Sequence, residues 1–369
     1  MLGPKLFSPF TLSGVSLRNR ILIAPMCQYS AVEGCMNDWH LIHLGNLVNS
    51  GAAMVTLEAT AVLREGRITY ADVGLWDDTT EKALGDTLCR LRRWSDTPIA
   101  VQLSHAGRKA SVEVPWLGGA QLAPGAERGW QTEAPSTVGF RPTHSAPLSL
   151  DRDGLRRVRR AFQSAARRAM HIGLDGVQLH GAHGYLLHQF LSPLANRRED
   201  EYGGSLANRM RFPLEVFDAV RAVVPTQKPV TMRVSATDWV DDGWDIGQTI
   251  QFAEELERRG CTGIHVSSGG LHPDQKIPVG PGYQVPLARA VKSVVKIPVI
   301  AVGLITSFEH AEAIVSTGDA DLIALARGIL YDPHWPWHAA AALGGRVHAP
   351  SQYLRSQPRL YPDLFDHES

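Results

Sequence analysis

PVTMRVSA (229–236), TGIHVSS (262–268), PVIAVG (298–303) and DLIALAR (321–327) are four apolar, β-prone runs separated by helix-length segments. Near-continuous apolar runs suit parallel strands covered on both faces, whereas half-exposed strands alternate. Upstream the same rhythm recurs in RILIAP (20–25), AAMVTLEA (52–59), PIAVQLS (98–104) and GVQLH (176–180). Helical periodicity lies between the runs. Leu155, Val158, Phe162, Ala166 and Ala169 fall on one face, among Arg156, Arg157, Arg159, Arg160, Arg167 and Arg168 on the other. Ser205 and Asn208 mark a helix start, and Gly260 marks the stop of a helix over 246–259. Eight strand–helix units predict an α/β fold, a closed (β/α)8 TIM barrel. A doubly wound sheet is the alternative, weakened because no GxGxxG follows an early strand.

Two segments stand outside the repeat. KLFSPFTLSGVSLR (5–18) turns at Ser13-Gly14 between β-prone residues, which predicts an N-terminal hairpin closing the barrel bottom. Residues 105–150, after the third strand, are rich in Gly, Pro and Trp; with Trp116 and Trp130 they predict a capping insertion over the barrel mouth. The chain reads as one domain over 1–369, with a tail over 346–369 that is a candidate interface.

Composition narrows the function. Lys+Arg and Asp+Glu number 37 each, for a net charge of +0 over 369 residues. A neutral chain lacks the cationic surplus of sequence-independent nucleic-acid binding, and the arginine run reads as a solvated helix face. Four cysteines exclude a disulfide scaffold, and MLGPKLFSP (1–9) lacks the apolar core of a secretion signal, so a reducing, cytoplasmic compartment is expected. No apolar run nears the about 18 residues of a membrane span.

Chemistry in such barrels sits where strands end. Met26, Cys27, Gln28 and Tyr29 follow the first strand, Glu58-Ala59-Thr60 end the second, and Gln102 and Ser104-His105 the third. His180 to Tyr185 follow the fourth, Arg233 lies on the fifth, and Ser267 to Gly270 follow the sixth. Gly303 and Arg327 end the last two, where backbone N–H groups and an Arg suit a phosphate; a structural ion pair is the alternative for Arg327. His180 and His183 admit three readings: a metal pair short of further ligands, a structural pair, or two neutral imidazoles donating to a ligand oxygen. Tyr185 is an acid of ordinary pKa or an aromatic packed on the cap. Arg233 inside a barrel calls for an anion, such as the N1–C2=O edge of a reduced flavin. Cys27 has Cys35 eight residues on as a potential partner, or is a buried, inert thiol.

Taken together, APMCQYS (24–30), NDWHLIHLG (37–45), EATAV (58–62), QLSHAGRKAS (102–111), HGAHGYLLHQFLSPLANRREDEYGGSLANRMRF (180–212), MRVSATDW (232–239) and AVGLITS (301–307) resemble the Old Yellow Enzyme family of FMN-dependent ene reductases. The resemblance spans nearly the whole chain and points to the subgroup with a Cys after the first strand, similar to xenobiotic reductases and thermophilic-like enzymes. It implies non-covalent FMN, reduced by NADPH or NADH, and a small enone-type substrate. Pro25, Met26, Cys27, Ala59, Gln102, Arg233, Ser267, Gly303, Leu304, Ala326 and Arg327 are the implied cofactor residues, with Cys27 tuning the flavin. Tyr29 and Lys109 would meet substrate, His180 and His183 its carbonyl oxygen, and Tyr185 would donate the proton after hydride transfer from flavin N5.

QYLR (352–355) resembles the tail of the thermophilic-like enzymes, which implies a homodimer or homotetramer with Arg355 entering the neighbouring site. Three features depart from the family. Ala326 replaces a Gly common before the phosphate Arg, the loop after strand six reads IPVGPGY (277–283) without the Trp of some relatives, and the chain runs fourteen residues past Arg355. Two rivals stay open on sequence: a zinc-dependent barrel hydrolase using His180 and His183, and a flavin-binding sensor without turnover.

Overall fold

The computed structural model describes residues 3–366. In chain order it begins with a hairpin of β1 (Phe10–Leu12) and β2 (Val15–Leu17). There follow β3 (Ile21–Ile23), α1 (Asp38–Val48), β4 (Met54–Ala61), α2 (Asp78–Arg92) and β5 (Ile99–Ser104). Short strands β6 (Glu133–Ala134) and β7 (Leu148–Ser149) precede α3 (Arg152–His171), β8 (Gly176–Gly181), α4 (Leu186–Leu191), α5 (Leu206–Arg221), β9 (Val230–Ser235) and α6 (Ile246–Arg258). The chain continues through β10 (Ile264–Ser267), α7 (Val285–Lys292), β11 (Val299–Ala301), α8 (Phe308–Ser316), β12 (Leu322–Leu325), α9 (Arg327–Tyr331) and α10 (Trp335–Leu343).

β3, β4, β5, β8, β9, β10, β11 and β12 form a closed parallel barrel, and each coincides with one of the eight runs read from sequence. Several strands stop short of those runs. Pro25 and Pro298 offer no N–H to a ladder, and Gly303 leaves the sheet with φ +118°.

The hairpin pairs antiparallel, Phe10 opposite Leu17. Leu12 and Leu17 pack with Leu22, Met54, Ile300 and Leu322 at the lower end of the barrel, as expected. On α3 the five apolar positions are buried. Its arginines are tied to carboxylates: Arg157 to Glu65 and Glu133, Arg168 to Asp78 and Glu81. That pairing accounts for the basic run without a polyanion. Ser205 caps α5 by accepting the Asn208 N–H, and Gly260 follows α6 at φ +83°.

The insertion after β5 is ordered as a cap. β6 and β7 pair in parallel, and the buried Arg108 guanidinium donates to the carbonyls of Val138 and Gly139 in the cap (both 3.2 Å) and of Leu271 beyond β10 (2.9 Å). No helix among the described residues is long and apolar enough to cross a membrane.

Candidate active site

The turn after β8 carries the densest chemistry. His180 lies edge-on to Tyr185, with ring centroids 4.8 Å apart, and to His183 at 5.2 Å. His183 adopts φ +57°, and its N–H donates to Ser235 Oγ at 2.9 Å. His188 anchors the turn from α4: Nδ1 accepts the Gly184 N–H at 2.9 Å while Nε2 lies 2.9 Å from the buried Asp238 carboxylate. Gly184 (φ +74°) and Gly270 (φ +90°) face one another, and a Cβ on Gly184 would stand 2.3 Å from the Gly270 carbonyl oxygen. Only glycine permits that approach. Lys109 then staples the two loops, donating at 2.8 Å to both the His183 and the Gly270 carbonyls, with its ammonium 5.2 Å from the Tyr185 ring centre.

Burial sets the protonation states here. It pushes the His180 and His183 pKa values well below 6.5, reinforced by the Arg233 charge, so both rings are neutral at physiological pH. It raises the Tyr185 phenol, which stays protonated, and lowers Lys109 to about 8, helped by Arg108. Arg233 is pushed down to about 10 by burial, and its Nε has no hydrogen-bond partner among the described residues. An orphaned guanidinium nitrogen inside a barrel suits an anionic edge of a bound group. On β5, Gln102 Nε2 donates to Gln178 Oε1 at 2.8 Å.

The phosphate end shows a second sign of accommodation. A Cβ on Gly303 would lie 2.5 Å from Gln284 Nε2, so the backbone there is open only because the residue is glycine. Leu304 follows at φ +50°. Ala326 keeps a negative φ of −122°, so its methyl is tolerated where relatives carry Gly, and Arg327 is exposed at the first residue of α9. The residues present fit a flavin mononucleotide, which Arg233 and Gln102 would meet at the ring and Gly303 and Arg327 at the phosphate.

The loop after β3 closes the other side. Pro25, Met26, Cys27 and Tyr29 are all half-buried, and Cys27, Tyr29 and Tyr185 surround a small apolar cluster of Ala59, Ile68, Ala106 and Ala110. Burial raises the Cys27 thiol well above its usual range, followed by Asp72 and Glu58, against the lowering pull of the Ala59 N–H and the Tyr29 hydroxyl. A cleft of about 630 Å³ opens above, lined by Lys109, Tyr185 and cap residues Phe140, Arg141 and His144. Trp116 meets Tyr29 edge-on at 6.3 Å.

The sequence leaves a Cys27–Cys35 pair open. Cys27 and Cys35 are not bonded; all four cysteines are free. Ser267 lies 2.7 Å from His183 Nε2 and 3.3 Å from Gln284 Oε1. Arg355 is exposed in the 3-10 helix Ser351–Ser356, whose Tyr353 lines a groove outside the barrel. No cluster of three or more His, Cys, Asp or Glu capable of holding a metal occurs among the described residues. Sequence reading missed Gln178, Gln284, His188 and Asp238, and noted Glu58 only as a strand end. The single available signal was a polar residue inside an apolar run.

Fold and site define a flavin-dependent oxidoreductase built on a TIM barrel. Residues 5–344 match the profile of the NADH:flavin oxidoreductase / NADH oxidase family. An NADPH dehydrogenase of Geobacillus sp. (strain WCH70) is 41% identical over 352 residues, covering 95% of this chain and 98% of its own. An NADH:flavin oxidoreductase of Gibberella zeae is 40% identical over 365 residues, covering 94% and 88%. Among solved structures, morphinone reductase in complex with tetrahydroNAD superposes with a TM-score of 0.76 at 26% identity, over 99% of this chain and 95% of that one. A 2-naphthoyl-CoA reductase, 23% identical with a TM-score of 0.82 over 52% of its length, shares the fold. The chain belongs to the NADH:flavin oxidoreductase / NADH oxidase family, and its cofactor is FMN with NAD(P)H as reductant.

Proposed function

We propose that the protein reduces the activated C=C bond of α,β-unsaturated carbonyl compounds. The observation that carries this is the edge-on cluster of two neutral imidazoles and a protonated phenol, His180, His183 and Tyr185, at one turn. Bound FMN supplies hydride chemistry, and the protein arranges the rest. His180 and His183 donate hydrogen bonds to the carbonyl oxygen and draw electron density from the β-carbon; His183 exchanges its Ser267 contact for that oxygen. Tyr185 holds its proton for the α-carbon. Arg233 and Gln102 orient the ring edge, Gly303, Leu304, Ala326 and Arg327 frame the phosphate, Pro25 and Met26 pack on the flavin, and Cys27 tunes it. Tyr29 and Lys109 shape the substrate side.

The test is anaerobic. The yellow protein is reduced with NADPH or NADH and then mixed with 2-cyclohexenone while the flavin absorbance is followed. Rapid reoxidation with formation of cyclohexanone is expected. Reduced flavin that persists in the enone yet reoxidises in air favours the flavin-sensor reading and sinks this one.

A further inference from the structure

Glu58 is a buried carboxyl group, 6% exposed, for which the proposed chemistry has no use. It is the extra residue of a β-bulge, because the register between β4 and β5 slips between Leu57 and Ala59. Bulges are rare between parallel strands, and they re-aim neighbouring groups beside active sites. Here two groups are re-aimed. Glu58 Oε2 accepts the N–H of Gln28 at 3.0 Å, while the next residue, Ala59, turns its N–H toward the Cys27 sulfur.

The other carboxyl oxygen, Oε1, lies 3.6 Å from Nε2 of His40 on α1. The tautomer of His40 follows from its neighbours. The Asn37 N–H, which can only donate, is 3.1 Å from Nδ1, and Asn37 Oδ1 at the same distance accepts the Trp39 N–H. The ring proton therefore lies on Nε2 and faces Glu58. Burial keeps this imidazole neutral by lowering its pKa to about 4.

The turn that Glu58 grips needs a grip. Tyr29 holds φ +49°, a region costing a non-glycine residue on the order of 1–3 kcal/mol. Gln28 Nε2 to Met26 O (3.0 Å) and Ser30 Oγ to Gln28 O (2.9 Å) are bonds within the loop itself. The Glu58 bond ties the loop to the barrel. We propose that Glu58, with the His40 ring beside it, is a positioning residue that fixes the turn over residues 27–29 against the end of β4 and so sets how closely the Cys27 sulfur approaches the flavin. The inference rests on the reading of Cys27 as a residue that tunes the flavin, and it concerns position rather than charge.

The experiment measures the flavin midpoint potential of the FMN-loaded protein for Glu58→Gln, Glu58→Asp and Glu58→Ala, with Cys27→Ala as reference. The Gln amide oxygen still accepts the Gln28 N–H although its NH2 then faces the His40 Nε2–H, so Glu58→Gln should shift the potential less than Glu58→Asp does. The Asp side chain is one methylene short, so Glu58→Asp should shift the potential toward the Cys27→Ala value, with Glu58→Ala shifting it further. In a Cys27→Ala background Glu58→Asp should add no shift, because the two residues act on one contact. A shift in Glu58→Gln with none in Glu58→Asp, or a Glu58→Asp shift that survives in full without the Cys27 thiol, overturns the proposal. Should Glu58→Ala fail to fold, the Gln and Asp pair decides alone. Wild-type protein that takes up no FMN overturns the flavin reading and this one with it; loaded protein with an unshifted Glu58→Asp potential overturns only this one.

Discussion

His180 and His183 act as hydrogen-bond donors without being cations, and that distinction is measurable. Losing one oxyanion-type donor costs about 10²–10³ in rate, so His180→Ala and His183→Ala should each slow flavin reoxidation by 2-cyclohexenone on that order while FMN stays bound. Because both pKa values are pushed well below 6.5 by burial and Arg233, the wild-type reoxidation rate should be level between about pH 5.5 and 7.5. A rate that falls tenfold as pH rises through 6.5 would show an imidazolium at work instead. These residues were legible because they sit in one run of six, at a strand end where barrels keep their chemistry. Gln284 and Gln178 were not. A buried amide satisfied by groups from other strands looks, in sequence, like any polar residue in a turn or a strand, and its partners are distant: Gln284 reaches Ser268 and Val302.

Several side chains hold the cap, among them Arg108, Arg157 on Glu133, Trp130 on the Glu65 carbonyl and Arg198 on the Pro135 carbonyl. Arg108, 2% exposed, holds cap carbonyls at Val138 and Gly139 and the β10 loop carbonyl of Leu271. Hydrogen bonds from a charged donor contribute about 1.5–3 kcal/mol each, so Arg108→Leu should loosen the cap around residues 138–139 while the barrel remains folded. Limited proteolysis should then cut the variant between residues 118 and 145 well before wild type, and the KM for the enone should rise more than kcat falls. Equal cleavage of both proteins would refute the latch. At this scale the sequence was a good guide to the barrel, since parallel strands advertise themselves as apolar β-branched runs. It was blind to the β6–β7 pair, where two dipeptides fourteen residues apart carry no periodicity. It was equally blind to the bulge at Glu58, which is a matter of register between two strands.

The whole molecule carries a groove of about 980 Å³ outside the barrel, lined by Gln28 from the active-site loop, Trp39, Ile42, Trp94, Leu330 and Tyr353. Trp39, Ile42 and Trp94 are 49%, 65% and 68% exposed, a concentration of aromatic and apolar surface enriched at interfaces. We propose that a second copy covers it and that Arg355 reaches the neighbouring site. Arg355→Ala should then weaken enone binding more than FMN binding, and mixing it with His180→Ala should restore activity once subunits exchange; no recovery after confirmed exchange removes the shared site. Stability is a second global property. His40, His105, His180, His183 and His265 are all held neutral by burial, at about 4 and 3 for the first two. Below about pH 6.5 the unfolded chain takes protons that the folded chain refuses, at about 1.4 kcal/mol per pH unit for each fully shifted group. Glu58 and Asp72, raised to about 8 and 6 by burial, act oppositely, since the folded chain keeps protons that the unfolded chain loses above about pH 4.5. Five groups outweigh two, so the Tm should drop as pH falls from about 7 to 5; a level or rising Tm over that range would contradict the burial of neutral histidines.

The hairpin floor has a consequence for traffic. Leu12 and Leu17 pack across the lower end of the barrel, which closes it there among the described residues. If the proposed reduction holds, reductant and enone would share the doorway beneath the cap, each leaving before the other enters. Each should therefore act as a dead-end visitor when it arrives out of turn, and an excess of either should slow the traffic of both.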